Sequence, residues 1–544
     1  MPTYPPWLVV RPGAAPILLL APHGGRRRDL RIPGRHKVND LHTADVTREL
    51  GRLLDAGVVI NEHRDRNELD LNRTSQVRRE APWFMDVVGE MLRGMITDAG
   101  RALVLVIHGW NVGQVACDIG IGLREHPEGL RAVRPGSGTV SDDFVAACVR
   151  PLRERVATDG VVVTIGSRYP AAHPDNLLQL FRLNGDEDDQ TSCPIAALRG
   201  FGTIDAAQLE LAIPLRWPGV RRDRFLGQLA STARSFLAGR LEPPRTRGHT
   251  VLVAGRGRLT RRRGIQLTAG DLFVMVSIEA GDGGPVAGRV IVSESPTRLA
   301  LFTGELVDPS RGWVVPPLVC ERAADGSMRF VYDGPVIAFP THTPFLDLER
   351  GLADGRLVEA RLDLRFRRTD PAQIAIGSES LGEVHGAIEI EGRRYEIATR
   401  GVVTDVELSS RARVPRGRIT LPDAACGPLV LATDALESLG SRDRWCAKAL
   451  VGHRRAGAAY RTVAAVAAID VSAERGTLVL EGADERDEEV AIVATLERVI
   501  PVRRQGPHDT VVETRFALVC VAGQAVGWLE VSATLEAATD LTGG

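Results

Sequence analysis

The sequence has no excess of charge of either sign, because 68 lysine and arginine residues nearly balance 69 aspartate and glutamate residues. A net charge of -1 argues against a protein that binds nucleic acid or an anionic membrane surface through a broad basic face. No apolar run approaches the roughly 18 residues that a membrane-spanning helix needs. These absences predict a soluble protein with no nucleic-acid partner and no membrane partner.

Cysteine is sparse and dispersed. Seven cysteines are spread from Cys117 to Cys520, and no two of them form a Cys-x-x-Cys pair. An odd, scattered set is typical of reduced thiols and argues against a disulfide framework or a cysteine zinc knuckle. The apolar run at residues 16–21 is too short and too late for a secretory signal. We therefore expect a cytoplasmic protein.

Two kinds of pattern divide the 544 residues, a length that predicts two to four domains. Residues 1–240 alternate strand-like and helix-like segments, which predicts an α/β domain with a mixed sheet and helices on both faces. After the Pro- and Arg-rich segment 241–248, strand after strand alternates apolar and polar residues between Gly-rich turns. This pattern predicts an all-β region of two barrel-like or sandwich-like lobes, at residues 249–400 and 401–544.

Helix ends in the first region are marked by glycine. Helical periodicity runs up to Gly57, Gly100 and Gly160, and glycine is the residue that most often ends a helix. Ser141 stands at the start of the third helical segment, where serine is a favoured N-cap. The sequence thus predicts these three helices between buried strands, and a last helix at residues 222–239.

Two apolar strand-like runs end in histidine. His23 follows "PILLLA" within the stretch "APHGG", and His108 follows "ALVLVI". Because α/β sheets place ligands at strand ends, two histidines at one edge can supply nitrogen ligands for zinc, with a carboxylate and an open position. The alternative for each is a histidine with a structural role in a turn. Gly24 and Gly25 permit a sharp turn and a close approach of another group.

The stretch "NDLHTADV" supplies the carboxylate candidates for such a site. Asp40 and Asp45 flank the predicted start of a helix, and either could be the ligand. The alternative for Asp40 is an ordinary acid near a helix N-terminus, where the helix dipole favours it. His36 and His42 are both expected at the surface, and His42 is close enough to remain a reserve ligand.

The segment "RDRNELDLNR" contains the candidates for substrate binding. Arg73 offers a planar fork for a carboxylate, and Asn72 adds a neutral donor. Together they are suited to grip the free carboxylate of a substrate. The alternative is a solvated charged turn, in which Arg73 pairs with Asp70 or Glu68.

Glu210 lies in the middle of the apolar strand-like segment "IDAAQLELAIPLRW". An acid in such a place is costly unless it is paired or lies near a cation. The residue pattern leaves two roles open, a buried ion-pair partner or a general base beside a metal-bound water.

Five of these motifs occur in an order that resembles the N-formylglutamate amidohydrolase family. They are "APHGG", "NDLHTADV", "LDLNR", "VIHG" and "QLEL", within roughly residues 8–220. The family itself is similar to the zinc carboxypeptidase-type fold. The resemblance therefore covers about two fifths of the chain, and the combination of "DLNR" with "QLEL" is its most specific part.

The resemblance implies a Zn²⁺ site with three ligands: His23, Asp40 and His108. It implies that Asn72 and Arg73 bind the substrate carboxylate, and that Glu210 is the general base acting on a zinc-bound water. Arg66 would neutralise the developing oxyanion. The implied reaction is hydrolysis of an N-formyl, N-acyl or γ-linked amide of an amino-acid-type or peptide-like substrate with a free carboxylate.

Two departures from the family pattern surround the second histidine. Val106 stands where the family has an acid, and Gly109 stands where it has a serine. The "NDLHTADV" stretch is altered too, which keeps Asp45 beside Asp40 as a candidate ligand. The alternative function is a hydrolase scaffold with reduced catalysis that acts in ligand binding or assembly. Its β-rich half would then take an apolar ligand or a protein partner.

Overall fold

The structure is a computed structural model in which the chain separates into two compact units, Met1–Ala254 and Gly255–Gly544. It describes these residues: 4–25, 38–126, 128–183, 193–239, 259–270, 272–281, 286–294, 298–306, 314–342, 348–369, 379–407, 417–422, 429–433, 437–438, 444–456, 459–471, 475–505 and 511–535. The segment 241–248 and His36 lie outside the described residues. The division into three domains at 1–240, 249–400 and 401–544 stays a prediction.

A mixed sheet forms the centre of the first unit. Its strands, with one separate hairpin, are β1 (Leu8–Arg11), β2 (Ala15–Ala21), β3 (Ala56–Asn61), β4 (Arg101–Trp110), β5 (Ala116–Gly120), β6 (Leu123–His126), β7 (Gly129–Ala132), β8 (Val162–Ile165) and β9 (Thr203–Ala212). The sheet order is β1-β3-β2-β4-β9-β5-β8, and β6 pairs only with β7 among the described strands. Strands β3, β2, β4 and β9 run parallel. Their carboxyl ends therefore meet at one edge.

Helices cover both faces of this sheet. They are α1 (Thr43–Leu54), α2 (Thr74–Glu80), α3 (Pro82–Ala99), a continuous helical stretch of Asp142–Phe144, Val145–Val149 and Arg150–Ala157, and the helices Ile213–Arg216 and Val220–Leu237. Short 3₁₀ turns are Leu177–Phe181 and Ala196–Gly200. Ile17 and Leu19 of β2 pack in one core with α1, whereas Leu18 and Leu20 pack in the other with α3. The predicted α/β region is confirmed as a mixed sheet with helices.

Of the four predicted helix boundaries, those at Gly100 and Ser141 are confirmed and that at Gly57 is wrong, while Gly160 follows the helix end at Ala157 by three residues. Gly100 ends α3 in the left-handed conformation (φ 70°), and the Ser141 hydroxyl accepts a hydrogen bond from the backbone N–H of Phe144, in the helical stretch that begins at Asp142. Helix α1, however, ends before Asp55, which itself takes the left-handed conformation (φ 51°). Gly57 lies inside β3, where an added Cβ would stand 2.8 Å from the terminal methyl carbon of Met91. That glycine serves close packing and does not end the helix.

The first barrel of the second unit is closed. Its strands are β10 (Leu259–Ala269), β11 (Leu272–Gly281), β12 (Val286–Glu294), β13 (Arg298–Leu306), β14 (Val314–Val315), β15 (Leu318–Arg322), β16 (Met328–Phe339), β17 (Arg356–Arg368), β18 (Glu379–Ile390) and β19 (Arg393–Glu407). All pairings are antiparallel, and β13 pairs with β16 to close a ring of eight strands. One short helix, Leu348–Asp354, precedes β17.

A second, nearly closed barrel follows. Its strands are β20 (Gly417–Leu421), β21 (Leu429–Thr433), β22 (Glu437–Ser438), β23 (Arg444–Ala456), β24 (Ala459–Val471), β25 (Arg475–Asp484), β26 (Glu489–Gln505), β27 (Val511–Val521) and β28 (Gln524–Leu535). The short strand β21 pairs with both β20 and β23. The predicted all-β region with two lobes is confirmed as two barrels. No helix in the described parts of either unit is long and apolar enough to span a membrane.

Candidate metal centre

His23 lies just past the end of β2, in a tight turn. The backbone N–H of Asp40 donates to the carbonyl of His23 at 2.9 Å, so the chain returns directly alongside this turn. A Cβ atom at Gly24 would stand 2.8 Å from the carbonyl oxygen of Asn61, and the space at Gly25 is tighter still. The two glycines after His23 are therefore required by close packing against the segment that follows β3.

Three buried side chains from distant parts of the sequence converge at this edge of the sheet: His23, Asp40 and His108. The Nδ1 atoms of the two histidines lie 3.1 Å apart. Oδ2 of Asp40 lies 3.3 Å from Nδ1 of His23 and 3.1 Å from Nδ1 of His108. Each residue is at most 3% exposed. This cluster could hold a metal ion.

The spacing of the three ligand atoms suits a metal ion. Around tetrahedral zinc, with bonds of about 2.0–2.1 Å, neighbouring ligand atoms lie about 3.3 Å apart. The three observed separations, 3.1, 3.1 and 3.3 Å, are close to that value. Two imidazole nitrogens with one carboxylate oxygen are also a common ligand set of catalytic zinc. The residues present therefore fit the Zn²⁺ ion that the sequence resemblance implies.

Asp70 fixes the orientation of His23, and the sequence had suggested it only as a partner of Arg73. Nε2 of His23 lies 2.6 Å from Oδ1 of Asp70, and the carboxylate is buried. A carboxylate at this distance holds the proton on Nε2, which leaves the Nδ1 lone pair facing the cluster. Asp70 is the first residue of the "DLNR" motif, and its place in that motif was the signal that could have identified it.

His108 is positioned by its strand but has a free nitrogen. It pairs in register with Glu210 of the neighbouring strand β9, so both side chains lie on the same face of the sheet. Its Nε2 is buried without a hydrogen-bond partner among the described residues. Metal-bound histidines usually have a hydrogen-bond acceptor at the ring nitrogen that does not bind the metal, and the described residues supply none for His108.

Of the two carboxylate candidates, Asp40 is the one in the cluster. Burial alone would raise the pKa of Asp40. The contacts with His108 and His23, with the nearby positive charge of Arg66, hold that pKa well below 3.8. Asp45 lies instead in the first turn of α1, exposed, where it contacts Arg48 and the reserve candidate His42.

Glu210 is a buried carboxyl with a strongly raised pKa. Burial raises the pKa of Glu210 from 4.5 to about 7, the charge of Asp40 adds to the shift, and His108 opposes it. Its Oε1 accepts a hydrogen bond of 2.7 Å from Nε2 of Gln208, and the Gln208 oxygen accepts from Asn176 at 3.1 Å. A carboxyl with a pKa near neutrality can both take up and release a proton at physiological pH.

The guanidinium group of Arg66 lies between two carboxylates of the site. Its Nη1 is 3.4 Å from Oδ1 of Asp40, and its Nη2 is 3.8 Å from Oδ2 of Asp70. The side chain is 21% exposed, so it reaches from the cluster toward solvent. This position places a fixed positive charge beside the candidate ligands.

Arg73 and Asn72 lie at the outer rim of the site. Nε of Arg73 is 3.5 Å from Oδ2 of Asp70, its Nη1 is 3.8 Å from Oδ2 of Asp175, and the side chain is 51% exposed. The pairing with Asp70 that the sequence left open as an alternative is present. Oδ1 of Asn72 is buried without a hydrogen-bond partner among the described residues.

Comparison with solved structures finds distant structural neighbours. The N-formylglutamate amidohydrolase from Ralstonia eutropha JMP134 is 13% identical, with a TM-score of 0.29, and the match covers 43% of this chain and 97% of that one. A protein from Nitrosomonas europaea, provisionally assigned as AttH, is 11% identical with a TM-score of 0.30, covering 54% and 99%. No protein-family profile and no curated protein matches the chain. At these scores neither neighbour establishes a family or a function.

Proposed function

We propose that the first unit is a zinc-dependent amidohydrolase. Its substrate would be an N-formyl, N-acyl or γ-linked amide of an amino-acid-type molecule with a free carboxylate. The observation that carries the proposal is the triangle of ligand atoms from His23, Asp40 and His108, with sides of 3.1–3.3 Å. Glu210, with a pKa of about 7, lies in register with one of these ligands. The order of the five sequence motifs supports the same reading, including a zinc carboxypeptidase-like fold for this unit.

His23 and His108 would hold the metal through Nδ1, and Asp40 through Oδ2. A bound zinc ion would supply Lewis-acid activation of water and of the scissile carbonyl. Asp70 keeps the proton on Nε2 of His23, so that Nδ1 remains available as a ligand.

Glu210 would take a proton from the attacking water and return it to the leaving amine. We assign the transfer to Oε2, because Oε1 already accepts a hydrogen bond from Gln208. A pKa near 7 allows both steps without a change of pH. Arg66, next to the cluster, would stabilise negative charge on the reacting carbonyl oxygen.

At the rim, the guanidinium group of Arg73 and the side-chain NH2 group of Asn72 would donate hydrogen bonds to the substrate carboxylate. The guanidinium group can bind a carboxylate through two parallel hydrogen bonds. Because Asp70 and Asp175 already flank Arg73, a substrate carboxylate would compete with them for the guanidinium. Because Arg73 contacts Asp70, which in turn contacts His23, the substrate carboxylate would lie a few bonds from the amide.

The test is metal content of the purified full-length chain. We expect close to one zinc per chain in the wild type after dialysis against metal-free buffer, and loss of that zinc in the His23→Ala/His108→Ala double variant. The matched control is a His63→Ala/His126→Ala double variant, which removes two histidines outside the cluster. A wild-type chain that takes up no zinc, even when zinc is added, would exclude the proposed function.

A second candidate function is a binding protein that retains the scaffold without turnover. The observation that favours it is the free Nε2 of His108, which lacks the acceptor expected for a catalytic zinc ligand. In that case the barrels would bind an apolar ligand or a protein partner, as the sequence predicts. Stoichiometric zinc together with no turnover of any N-acyl amino acid would favour this candidate.

A further inference from the structure

Arg216 is a fully buried arginine beside the metal cluster. It ends the short helix that follows β9 directly, and its exposed fraction is 0%. Burial lowers the pKa of its guanidinium to about 10, against the opposing charges of Asp40 and Glu210. The side chain therefore stays protonated at neutral pH, and a buried charge of this kind must be held by specific partners.

The partners of Arg216 belong to the two chain segments that carry the candidate ligands. Its Nη1 donates to the carbonyl oxygen of Leu41 at 2.9 Å. Its Nη2 donates to Oδ1 of Asn111. Leu41 directly follows Asp40, and Asn111 stands three residues after His108. One guanidinium group thus connects both segments.

Gly109 leaves the space through which this arginine reaches its partners. A Cβ atom at position 109 would lie 2.8 Å from Cζ of Arg216 and 3.1 Å from Cβ of Asp40. Any side chain there would displace the guanidinium group. The sequence departure at Gly109, a position where the resembled family has serine, is thereby explained by the buried arginine.

We infer that Arg216 is a positioning residue of the metal centre. It fixes the spacing between the segment of Asp40 and the end of strand β4, so that the ligand atoms are already close together before metal binds. This positioning role rests on the proposed metal site. The effect of Arg216 on the rigidity of the two segments can nevertheless be measured in the metal-free protein.

Two variants test the hydrogen bonds of Arg216 and the space that Gly109 leaves for it separately. Arg216→Met removes both hydrogen bonds and keeps much of the volume, whereas Gly109→Ala keeps the arginine but displaces its guanidinium group. The control is Arg153→Met, because Arg153 makes a two-hydrogen-bond ion pair with Glu125 in the same unit, away from the cluster. Arg216→Lys keeps the charge and is the milder variant if the methionine variant fails to fold.

Two readouts are needed. The first is amide hydrogen exchange of the Asp40 segment in the metal-free protein. We expect the Asp40 N–H to exchange at least tenfold faster in Arg216→Met and in Gly109→Ala than in the wild type, and at an unchanged rate in the control. The second is zinc affinity, measured by competition with a chelator, which should fall about 10- to 100-fold, the effect typical of lost outer partners of a metal ligand.

The outcomes are distinguishable. Unchanged exchange and unchanged zinc affinity in folded Gly109→Ala and Arg216→Lys proteins would overturn the positioning role. Faster exchange in the variants, together with a wild type that takes up no zinc, would reject the proposed function but support the conclusion that Arg216 holds the two segments together. Faster exchange with weaker zinc binding supports both.

Discussion

The central sheet of the first unit and strand β17 of the first barrel place ionisable side chains differently. In the first unit His23, Asp118 and Arg216 are each fully buried, and they lie at or near the carboxyl ends of the central strands. In the first barrel, strand β17 alternates strictly, so that Leu362 and Leu364 are buried while Arg361 is exposed. One unit collects ionisable groups in its interior, whereas the other keeps them at its surface along this strand.

Strand direction explains the difference. In the first unit β3, β2, β4 and β9 run parallel, so their carboxyl ends bring residues that are far apart in sequence to one edge. In the barrels neighbouring strands run antiparallel, and each strand sends alternate residues inward and outward. An interior cluster of charges costs stability unless its members are paired, hydrogen-bonded or bound to a metal, and such clusters are enriched at functional sites. The buried cluster is therefore the place where function is expected, and the predictions below test that contrast.

The largest effect is expected from Glu210→Gln on turnover. The substitution removes the group that exchanges protons and preserves shape, so activity on an N-acyl amino acid should fall about 10²- to 10⁴-fold. Zinc content should remain that of the wild type. The measurement is kcat with metal analysis of the same preparation. An active Glu210→Gln protein would end the proposed mechanism.

The same substitution should change the pH dependence of stability in the metal-free protein. The folded-state pKa of Glu210 is raised from 4.5 to about 7, so the folded state binds more protons in that window and stability falls as pH rises through it. Above pH 7 the cost in free energy of unfolding is on the order of 3 kcal/mol. Glutamine carries no such cost.

The measurement is urea unfolding in a chelating buffer at several pH values between 4 and 8. Glu210→Gln should be as stable as the wild type at the acid end and progressively more stable than it toward pH 8. A constant difference across the range would show that Glu210 titrates normally in the fold.

A smaller effect is expected at the rim of the site. Arg73→Lys keeps the charge but loses the planar fork, so kcat/KM for N-acyl amino acids should fall about 10- to 100-fold. The carboxamide analogues of the same substrates serve as the control, because they cannot form the charged pair. Wild-type protein that hydrolyses acids and amides equally would remove Arg73 from substrate binding.

The sequence predicted which strand ends carry the candidate site, but it did not predict all the side-chain contacts there. Strand ends marked by histidine were recognisable because an apolar run occupies consecutive positions of the sequence. The alternation in the barrel strands was recognisable for the same reason. The acceptor role of Asp70 toward His23 and the position of Arg216 were missed, because these contacts join residues 47 and 175 positions apart. Asp40 and Asp45 could not be separated either, since the start of helix α1 decides which one turns inward.

The same substitution made in both units gives the most direct comparison. Asp118 is buried and accepts hydrogen bonds from the backbone N–H groups of Ser167, Arg168 and Tyr169 and from the hydroxyl of Thr164. Asp118→Asn replaces one acceptor oxygen by a donor, which leaves buried N–H groups without a partner. The free energy of unfolding should fall by about 1–3 kcal/mol, measured by urea unfolding.

Asp363→Asn in the first barrel should change stability least. Its carboxylate makes two hydrogen bonds, of 2.9 and 2.7 Å, with the guanidinium of Arg329, yet both side chains are more than 40% exposed. The Arg329 hydrogen bond lowers the pKa of Asp363, so its small stabilisation is present above the ordinary carboxyl range and is lost as pH falls through the lowered pKa. Water solvates both partners once the pair is broken. We expect no measurable shift of the thermal midpoint at pH 7. A loss as large as that of Asp118→Asn would contradict the contrast between a buried polar edge and a solvated barrel surface.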